Sequence, residues 1–181
     1  MSLSWPDPLP AYGPVRLRPF ADGDLDLVAH LASDPYVGLI GTIPIPFTVD
    51  EGLAYLVRQH QRLVDGTGYS FAVVESASGR AVGTAGLWLR ERDQGRATAG
   101  YTIAPSARGR GLAAAALAAL TELAWRDEVV QRVELLIEPW NTASVRTAER
   151  CGYECEGLLP EHLEIGGQAR DMLRYAATRP D

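Results

Sequence analysis

The fold of this chain is decided by one stretch, YTIAPSARGRGLA, at residues 101–113. Its first residues alternate as a β-strand does, a basic loop with two glycines follows, and an alanine- and leucine-rich helix begins directly afterwards. A loop with so little side-chain bulk exposes amide N–H groups at the helix N-terminus, where the helix dipole adds positive potential. Arg108 and Arg110 add formal charge at the same place. Residues 108–113, called the anion loop below, are therefore predicted to bind phosphate oxygens, most simply those of a pyrophosphate.

Three phosphate-binding motifs compete for the anion loop. The P-loop motif G-x-x-x-x-G-K-[ST] fails because no Lys-Ser or Lys-Thr follows either glycine. The dinucleotide motif G-x-G-x-x-G is met only with Ala114 in the last place, past mid-chain and with no second mononucleotide unit after it. The pattern R-x-x-G-x-[GA] is met in full at residues 108–113. An ordinary glycine-rich turn between strand and helix remains the alternative from these residues alone.

The composition indicates one globular domain that does not bind nucleic acid or an anionic membrane. The chain has 181 residues, 46% of them hydrophobic and 22% charged, which is an ordinary balance for a folded domain of this length. A formal net charge of −6 at pH 7 disfavours partners that need a basic face. The same charge is compatible with an amine or a cationic peptide as substrate.

The termini and the cysteines indicate a cytoplasmic protein without metal. Residues 1–10 are polar and proline-rich, with neither the basic start nor the apolar core of a signal peptide. The only two cysteines, Cys151 and Cys155, do not form a disulfide framework or a CxxC metal motif. His162 lies close to them in sequence, but the spacing is too loose to predict a metal site.

Helices and strands are predicted from periodicity and from capping and turn residues. Residues 1–14 are expected to form an extended, partly mobile arm, and residues 15–177 a single domain. Asp22, Thr48 and Asn141 are the expected N-caps of three helices. The predicted order is strand 15–20, helix 21–31, loop 33–47, helix 48–66, strands 69–75, 80–89 and 96–104, helix 109–125, strand 132–137, helix 141–150, and strands 153–157 and 170–176.

This order of elements resembles the fold of the GNAT acyltransferases over about residues 15–177, and the anion loop resembles their acetyl-CoA pyrophosphate loop. A second motif, NTASVRTAERCGYECEG at residues 141–157, is similar to the N-x-x-S…G-[FY]…E-G segment of the ribosomal-protein-alanine N-acetyltransferase branch. The Gly100-Tyr101 pair and Asp171 also resemble that branch. The resemblance implies an α+β sandwich whose mixed, mostly antiparallel sheet has about seven strands, about four helices and a splayed pair of parallel strands.

The resemblance also implies which residues bind acetyl-CoA. Ile103 and Ala104 are expected to pair with the pantetheine arm, and their amides to polarise the thioester carbonyl. Asn141 and Ser144 lie where the family contacts the arm or the thiol, although Asn141 is also a plain N-cap candidate. The pyrophosphate is expected on Arg108 and on the backbone N–H groups of Gly109, Arg110, Gly111, Leu112 and Ala113.

The catalytic residues depart from the family pattern. Many members carry a tyrosine seven residues after the asparagine as the acid for the thiolate, and this chain has Ala148 there. The ribosomal branch often has glutamate two residues before the Gly-Tyr pair, where this chain has Thr98. Glu138 as base and Ser144 as thiolate partner are the candidates, although Glu138 is equally well interpreted as a solvated loop acid. His60 is interpreted as a structural helix residue rather than a catalytic one.

The sequence therefore predicts an acetyl-CoA-dependent N-acetyltransferase that acts on a primary amine, either a protein N-terminus or a small molecule. Two other classes stay open: an acyl-CoA-binding module without catalysis, and an aminoglycoside-type drug acetyltransferase. The drug enzyme predicts an acidic acceptor cleft, whereas a peptide groove is expected to be narrower and more apolar. Residues 33–47 and 158–167 are the expected acceptor loops, and a monomer or homodimer is expected.

Overall fold

A computed structural model describes residues 3–180 of the chain. Within that range it contains eight strands and five α-helices, one strand and one helix more than predicted. The additional elements are a short strand, Ala11–Tyr12, and a short helix, Pro35–Ile40. The strands are β1 Ala11–Tyr12, β2 Val15–Arg18, β3 Gly68–Glu75, β4 Ala81–Trp88, β5 Arg96–Ile103, β6 Arg132–Ile137, β7 Glu154–Ile165 and β8 Gln168–Thr178. The helices are α1 Leu25–Leu31, α2 Pro35–Ile40, α3 Val49–Val64, α4 Leu112–Trp125 and α5 Thr142–Arg150.

All eight strands form one sheet in the order β1-β2-β3-β4-β5-β6-β8-β7. Every neighbouring pair is antiparallel except β5 and β6, which are parallel and joined through the crossover helix α4. Their register contains only three residue pairs, from Arg96↔Arg132 to Thr98↔Glu134. Beyond these pairs β5 runs on to Ile103 and β6 to Ile137 without bonding to each other. The predicted splayed pair of parallel strands is confirmed.

Helices cover both faces of the sheet. On one face, α4 packs on β5, β2, β1 and β4 through an almost continuous run of buried small and aliphatic side chains, which let the helix lie close to the sheet. On the other face α3 packs over β3, and α1 packs against α3 and β4. Phe20, Val28 and Tyr55 belong to a separate apolar cluster there. Thr48 caps α3 as predicted, because its Oγ1 accepts the Glu51 amide at 3.2 Å.

The predicted N-cap at the start of the first helix is wrong. Asp22 lies in a short 3-10 turn, Asp22–Asp24, and α1 begins only at Leu25. It is the carboxylate of Asp24 that accepts the Ala21 amide at 2.8 Å, and it also forms two 2.7 Å hydrogen bonds with the guanidinium of Arg18. Sequence periodicity did not separate the two aspartates, since the tertiary contact with Arg18 selects between them.

The two expected acceptor loops are partly regular structure. Residues 33–47 contain α2, whose N-cap Asp34 accepts the Tyr36 amide at 3.1 Å. Most of residues 158–167 belongs to β7, which pairs with β8 through two irregularities as far as Ile165↔Gln168. Pairing across this long hairpin, rather than local propensity, extends the strand beyond its predicted end.

The N-terminal segment is attached to the domain in the part that is described. The Trp5 ring lies 5.5 Å from Phe71, 6.3 Å from Tyr69 and 6.0 Å from His60, measured between centroids. β1 pairs with β2 through Ala11↔Arg16. The boundary between an arm and a domain at residue 15 stays a prediction. No helix of residues 3–180 is long and apolar enough to cross a membrane.

The contact of α4 with the sheet predicts a large loss of stability when a buried side chain is shortened. Leu120 is fully buried, whereas Leu53 on α3 is 40% exposed. We expect Leu120→Ala to lower the free energy of unfolding by about 2–5 kcal/mol, because it leaves a cavity between helix and sheet. Leu53→Ala is the matched control and is expected to cost under about 1 kcal/mol. Urea unfolding followed by circular dichroism measures both, and equal losses would contradict this packing.

Candidate active site

The anion loop has the backbone conformation that its glycines were expected to provide. Gly109 and Gly111 have φ of +76° and +75°, which L-residues with side chains rarely adopt. A Cβ at either position would meet no atom within 4 Å, so both face open space. The loop borders a groove of about 720 Å³, formed with the first turns of α4 and α5 and with α2.

The amides of the loop are free to bind a ligand. The first bond of α4 runs from Ala115 N–H to the Gly111 carbonyl at 3.1 Å. Within residues 3–180, no carbonyl or side chain accepts from the N–H groups of residues 109–113. These donors lie together at the positive end of the α4 dipole, a geometry suited to phosphate oxygens. The loop therefore fits the pyrophosphate of a nucleotide-like ligand.

The two arginines of the loop are engaged with the protein. Arg108 donates through Nε to the Ile103 carbonyl at 3.0 Å, and its Nη2 lies 2.6 Å from an Asp34 carboxylate oxygen. Arg110 pairs with Glu75 on β3 and does not line the groove. The backbone amides, rather than the guanidinium groups, are thus the unengaged donors of the loop.

The gap between β5 and β6 exposes a different set of amides from the one expected. Ala104 donates its N–H to the Val82 carbonyl at 2.9 Å, so this amide belongs to the β4 side. Because N–H groups alternate in direction along an antiparallel strand, those of Tyr101 and Ile103 face the gap. The Ile103 amide thus faces the gap, as the Tyr101 amide does, whereas the Ala104 amide does not. That Ile103 binds the pantetheine arm stays a prediction.

The groove meets a second cavity at the end of the gap. This cavity has about 540 Å³ and lies on the α3 side of the sheet. Both cavities are lined by Tyr36, Tyr101, Asn141 and Ser144. Asn141 is an N-cap as predicted, because its Oδ1 accepts the Ser144 amide at 3.1 Å, and this bond fixes the start of α5 beside the junction. Of the predicted ligand-binding residues, the groove is lined by Ile103, Arg108, Gly109, Gly111, Leu112, Ala113, Asn141 and Ser144.

Glu138 lies in the wall of the second cavity and is not a solvated loop acid. It is 4% exposed, directly after β6. The Tyr36 hydroxyl donates to one carboxylate oxygen, and Arg170 Nε lies 3.9 Å from the other. Burial, followed by this hydrogen bond, raises the pKa of Tyr36 well above its usual range. The Tyr36 ring also packs edge-on against Trp140 at 4.8 Å, so α2 is held over the junction.

Tyr101 is a site residue that the sequence analysis used only as part of a motif. Its hydroxyl is buried and has no hydrogen-bond partner within residues 3–180. Burial raises the pKa of Tyr101, while the nearby hydroxyls of Ser144 and Thr147 lower it in part. The hydroxyl therefore lies beside the first turns of α5. In the sequence, the Gly100-Tyr101 pair and the absence of a tyrosine at Ala148 are the signals that could have drawn attention to Tyr101.

The remaining sequence candidates lie outside the site. His60 Nε2 is 3.0 Å from the Phe20 carbonyl, a structural contact on α3. Cys151 Sγ donates to the Ala114 carbonyl at 3.3 Å and holds α5 against α4. No group of three or more His, Cys, Asp or Glu side chains within residues 3–180 is arranged to hold a metal.

Comparison with known proteins agrees with this geometry. Residues 15–154 match the model of the acetyltransferase (GNAT) domain family. An uncharacterized N-acetyltransferase, p20 of Bacillus licheniformis, is 26% identical over 163 residues, which covers 90% of this chain and 91% of the relative. The [ribosomal protein uS5]-alanine N-acetyltransferase of Escherichia coli is 35% identical over 82 residues, 45% of this chain and 42% of the relative.

A solved structure shares the fold. The ribosomal L7/L12 α-N-protein acetyltransferase RimL, in complex with coenzyme A, aligns with a TM-score of 0.78 and 18% identity, covering 94% of this chain and 97% of that one. The expected resemblance to ribosomal-protein acetyltransferases is thus confirmed as a similarity of sequence and fold. The chain belongs to the GNAT family of N-acetyltransferases, enzymes that take the acetyl group from acetyl-CoA.

Proposed function

We propose that acetyl-CoA lies in the 720 Å³ groove with its pyrophosphate on the amides of residues 109–113. The supporting observations are the free N–H groups, the left-handed glycines and the open space beside them. The pantetheine arm then runs along the exposed edge of β5, where the Tyr101 and Ile103 amides face the gap. This places the thioester at the junction of the two cavities, beside Asn141 and Ser144.

The acceptor amine enters from the 540 Å³ cavity and attacks at the junction. When bound, acetyl-CoA supplies an acetyl group activated as a thioester. As the C–N bond forms, the amine nitrogen loses a proton, and Glu138 is the carboxylate in that cavity wall placed to accept it, directly or through a water. The hydrogen bond from Tyr36 and the nearby Arg170 hold the carboxylate in place.

At the other side of the junction the chain offers hydroxyl donors to the departing sulfur. As the C–S bond breaks, the sulfur gains a proton, and Tyr101 and Ser144 both line the shared wall. A tyrosine hydroxyl is protonated at neutral pH, so Tyr101 has a proton to donate to the departing sulfur. Tyr101 from β5 thus replaces the family tyrosine that is missing at Ala148.

The single observation that carries this proposal is that the groove meets a second cavity with a buried carboxylate, Glu138, in its wall. A module that only binds acyl-CoA needs the groove but not the second cavity with Glu138 in its wall. A drug acetyltransferase for polycations needs an acidic cleft, and this cavity contains the guanidinium of Arg62. An N-terminal or small-molecule primary amine as acceptor, a monomer or homodimer, a cytoplasmic location, and the lack of nucleic-acid and membrane partners stay predictions.

The first prediction for the site concerns the anion loop. Gly111→Trp fills the open space where the pyrophosphate approaches the backbone, and Gly79→Trp is the matched control, because Gly79 has φ +69° and equally open surroundings in the β3–β4 turn. At about 100 times its dissociation constant, acetyl-CoA should stabilise wild type by roughly 2.7 kcal/mol. For a domain of this size that raises the unfolding midpoint by about 5–10 °C.

Thermal unfolding with and without acetyl-CoA measures this rise in all three proteins. Gly79→Trp should keep the rise and Gly111→Trp should lose it. A rise retained in folded Gly111→Trp would place acetyl-CoA elsewhere.

The second prediction concerns the base. Glu138→Gln keeps the size of the side chain but removes its ability to accept a proton, so kcat should fall about 10²–10⁴-fold with acetyl-CoA binding unchanged. Glu164→Gln is the control, since Glu164 lines the same cavity but is exposed. Initial rates with a panel of primary amines give kcat. If Glu138→Gln retains full kcat, another group or bulk water takes the proton.

The third prediction concerns the acid. Tyr101→Phe removes an unpartnered buried hydroxyl, so it should preserve the unfolding midpoint while lowering kcat about 10²-fold. Tyr153→Phe is the contrast, because the Tyr153 hydroxyl is 2.7 Å from Thr121 Oγ1 and its loss should cost stability but not kcat. Measuring kcat and the unfolding midpoint of both variants shows whether the Tyr101 hydroxyl acts in catalysis or in stability. A normal kcat in Tyr101→Phe, with a low one in Ser144→Ala, would assign the acid to Ser144 alone.

A further inference from the structure

The wall of the 540 Å³ cavity contains a cation without an acidic partner. Arg62, on the last turn of α3, lines this cavity and forms no ion pair with any carboxylate of residues 3–180. We propose that Arg62 binds a carboxylate of the acceptor, so that the enzyme acetylates amino acids or peptides that carry an acidic group near the reacting amine. This inference rests on the proposed function, since it assigns the acceptor for the same cavity.

Arg62 is held in place by a chain of buried polar groups. Its Nη1 donates to Ser70 Oγ at 2.6 Å, Ser70 Oγ donates to Gln59 Oε1 at 3.1 Å, and Gln59 Nε2 donates to the Tyr55 carbonyl at 3.1 Å. Ser70 is 3% exposed and Gln59 is 2% exposed. Buried polar side chains are costly unless their hydrogen bonds are made, so this chain fixes the orientation of the guanidinium.

An aromatic ring supports the guanidinium from one side. The Arg62 Cζ atom lies 5.5 Å from the ring centroid of Trp88, which also lines the cavity. A Cβ at Gly86 or at Gly100 would approach the Trp88 ring to 3.0 Å, so the indole lies across two strands at positions without side chains. The absence of side chains at Gly86 and Gly100 thus lets the Trp88 ring lie flat on the sheet, and the ring supports the guanidinium of Arg62.

The remaining donors of Arg62 are left for a ligand. Within residues 3–180 its guanidinium makes one hydrogen bond, through Nη1, although the fork has further N–H groups. Burial lowers the pKa of Arg62; Tyr55 raises it in part, and the like charges of Arg90 and Arg58 lower it further. A partly desolvated cation is stabilised by an anion, and a carboxylate can accept two parallel hydrogen bonds from a guanidinium.

The charges of the cavity are divided between its walls. Glu138 and Glu164 line it, with Arg170 near Glu138, whereas Arg62 lines it from α3. An acceptor can place its amine near Glu138 and its carboxylate near Arg62. Each charged side chain then faces a group of opposite charge or a proton donor. A polycation would leave the guanidinium unpaired and add repulsion. The carboxylate can come from the α-carboxyl group of a free amino acid or from an acidic side chain of a peptide N-terminus.

Matched acceptors separate these two sources. Leucine against leucinamide tests the α-carboxylate, and the peptide amides Ala-Asp-Ala-NH₂ against Ala-Asn-Ala-NH₂ test the side chain. We expect wild type to prefer the acid of at least one pair by about 10- to 100-fold in kcat/KM, the range of a charge-assisted hydrogen bond. Arg62→Gln should abolish this preference, and Arg62→Lys should keep part of it. Comparing the acid-to-amide ratio between variants cancels the intrinsic reactivity of each amine.

The control variant is Arg58→Gln, which removes a nearby charge at an exposed residue bonded to the Thr42 carbonyl. It should keep the preference. Unfolding midpoints and acetyl-CoA binding show that each variant is folded. A ratio near one for both pairs in wild type, or a preference that survives Arg62→Gln, would overturn the subsite.

Binding calorimetry with the same four compounds distinguishes failure of the subsite from failure of the proposed function. Transfer to amines without carboxylate selectivity would overturn the subsite alone. Carboxylate-selective binding that Arg62→Gln abolishes, without transfer to any amine, would support the subsite and overturn the proposed reaction.

Discussion

The structure depends on the early end of pairing between β5 and β6. After three residue pairs the strands no longer bond to each other, and the backbone groups at Tyr101 and Ile103 are left facing a gap. An unpaired strand edge inside a sheet is costly unless water or a ligand satisfies it. Here the gap opens where the anion loop, α5 and α2 meet, so the groups that the sheet leaves unsatisfied become a binding surface.

The elements around the gap are fixed by ordinary packing and capping. α4 lies close to the sheet because its inner face is alanine and leucine, and this places the amides of residues 109–113 at the mouth of the groove. The Asn141 cap sets the start of α5, and the contacts of Tyr36 with Glu138 and Trp140 hold α2 above the junction. Apolar packing thus supplies rigidity, while the buried polar groups are concentrated at the junction and in the second cavity.

The sequence was sufficient for the features with local causes. The glycines of the anion loop, the Asn141 cap and the crossover to β6 follow from short-range chemistry, and the structure has all three. The features that it did not predict depend on long-range contacts. The direction of the Ala104 amide follows from pairing with Val82, and α2 is stabilised over the site by Glu138, about a hundred residues away.

The sequence also could not predict the surroundings of the side chains in the site. From the sequence, Glu138 could equally be a solvated acid. It is buried beside α2 and Arg170, and sequence periodicity does not show that these distant residues lie next to it. In the sequence, Tyr101 was noted only as part of the Gly100-Tyr101 motif, and Arg62 was an ordinary helix residue. Only the fold shows that one has an unpartnered buried hydroxyl and the other an unpaired charge in a cavity wall.

Amide hydrogen exchange with and without acetyl-CoA tests the central claim most directly, since it reports on the backbone groups that the strand gap leaves free. The account predicts that acetyl-CoA slows exchange at the amides of Tyr101, Ile103 and residues 109–113. It predicts no change at Gly95, which lies in the β4–β5 turn and lines neither cavity. Slowed exchange elsewhere in the chain, with these amides unchanged at saturating acetyl-CoA, would contradict it.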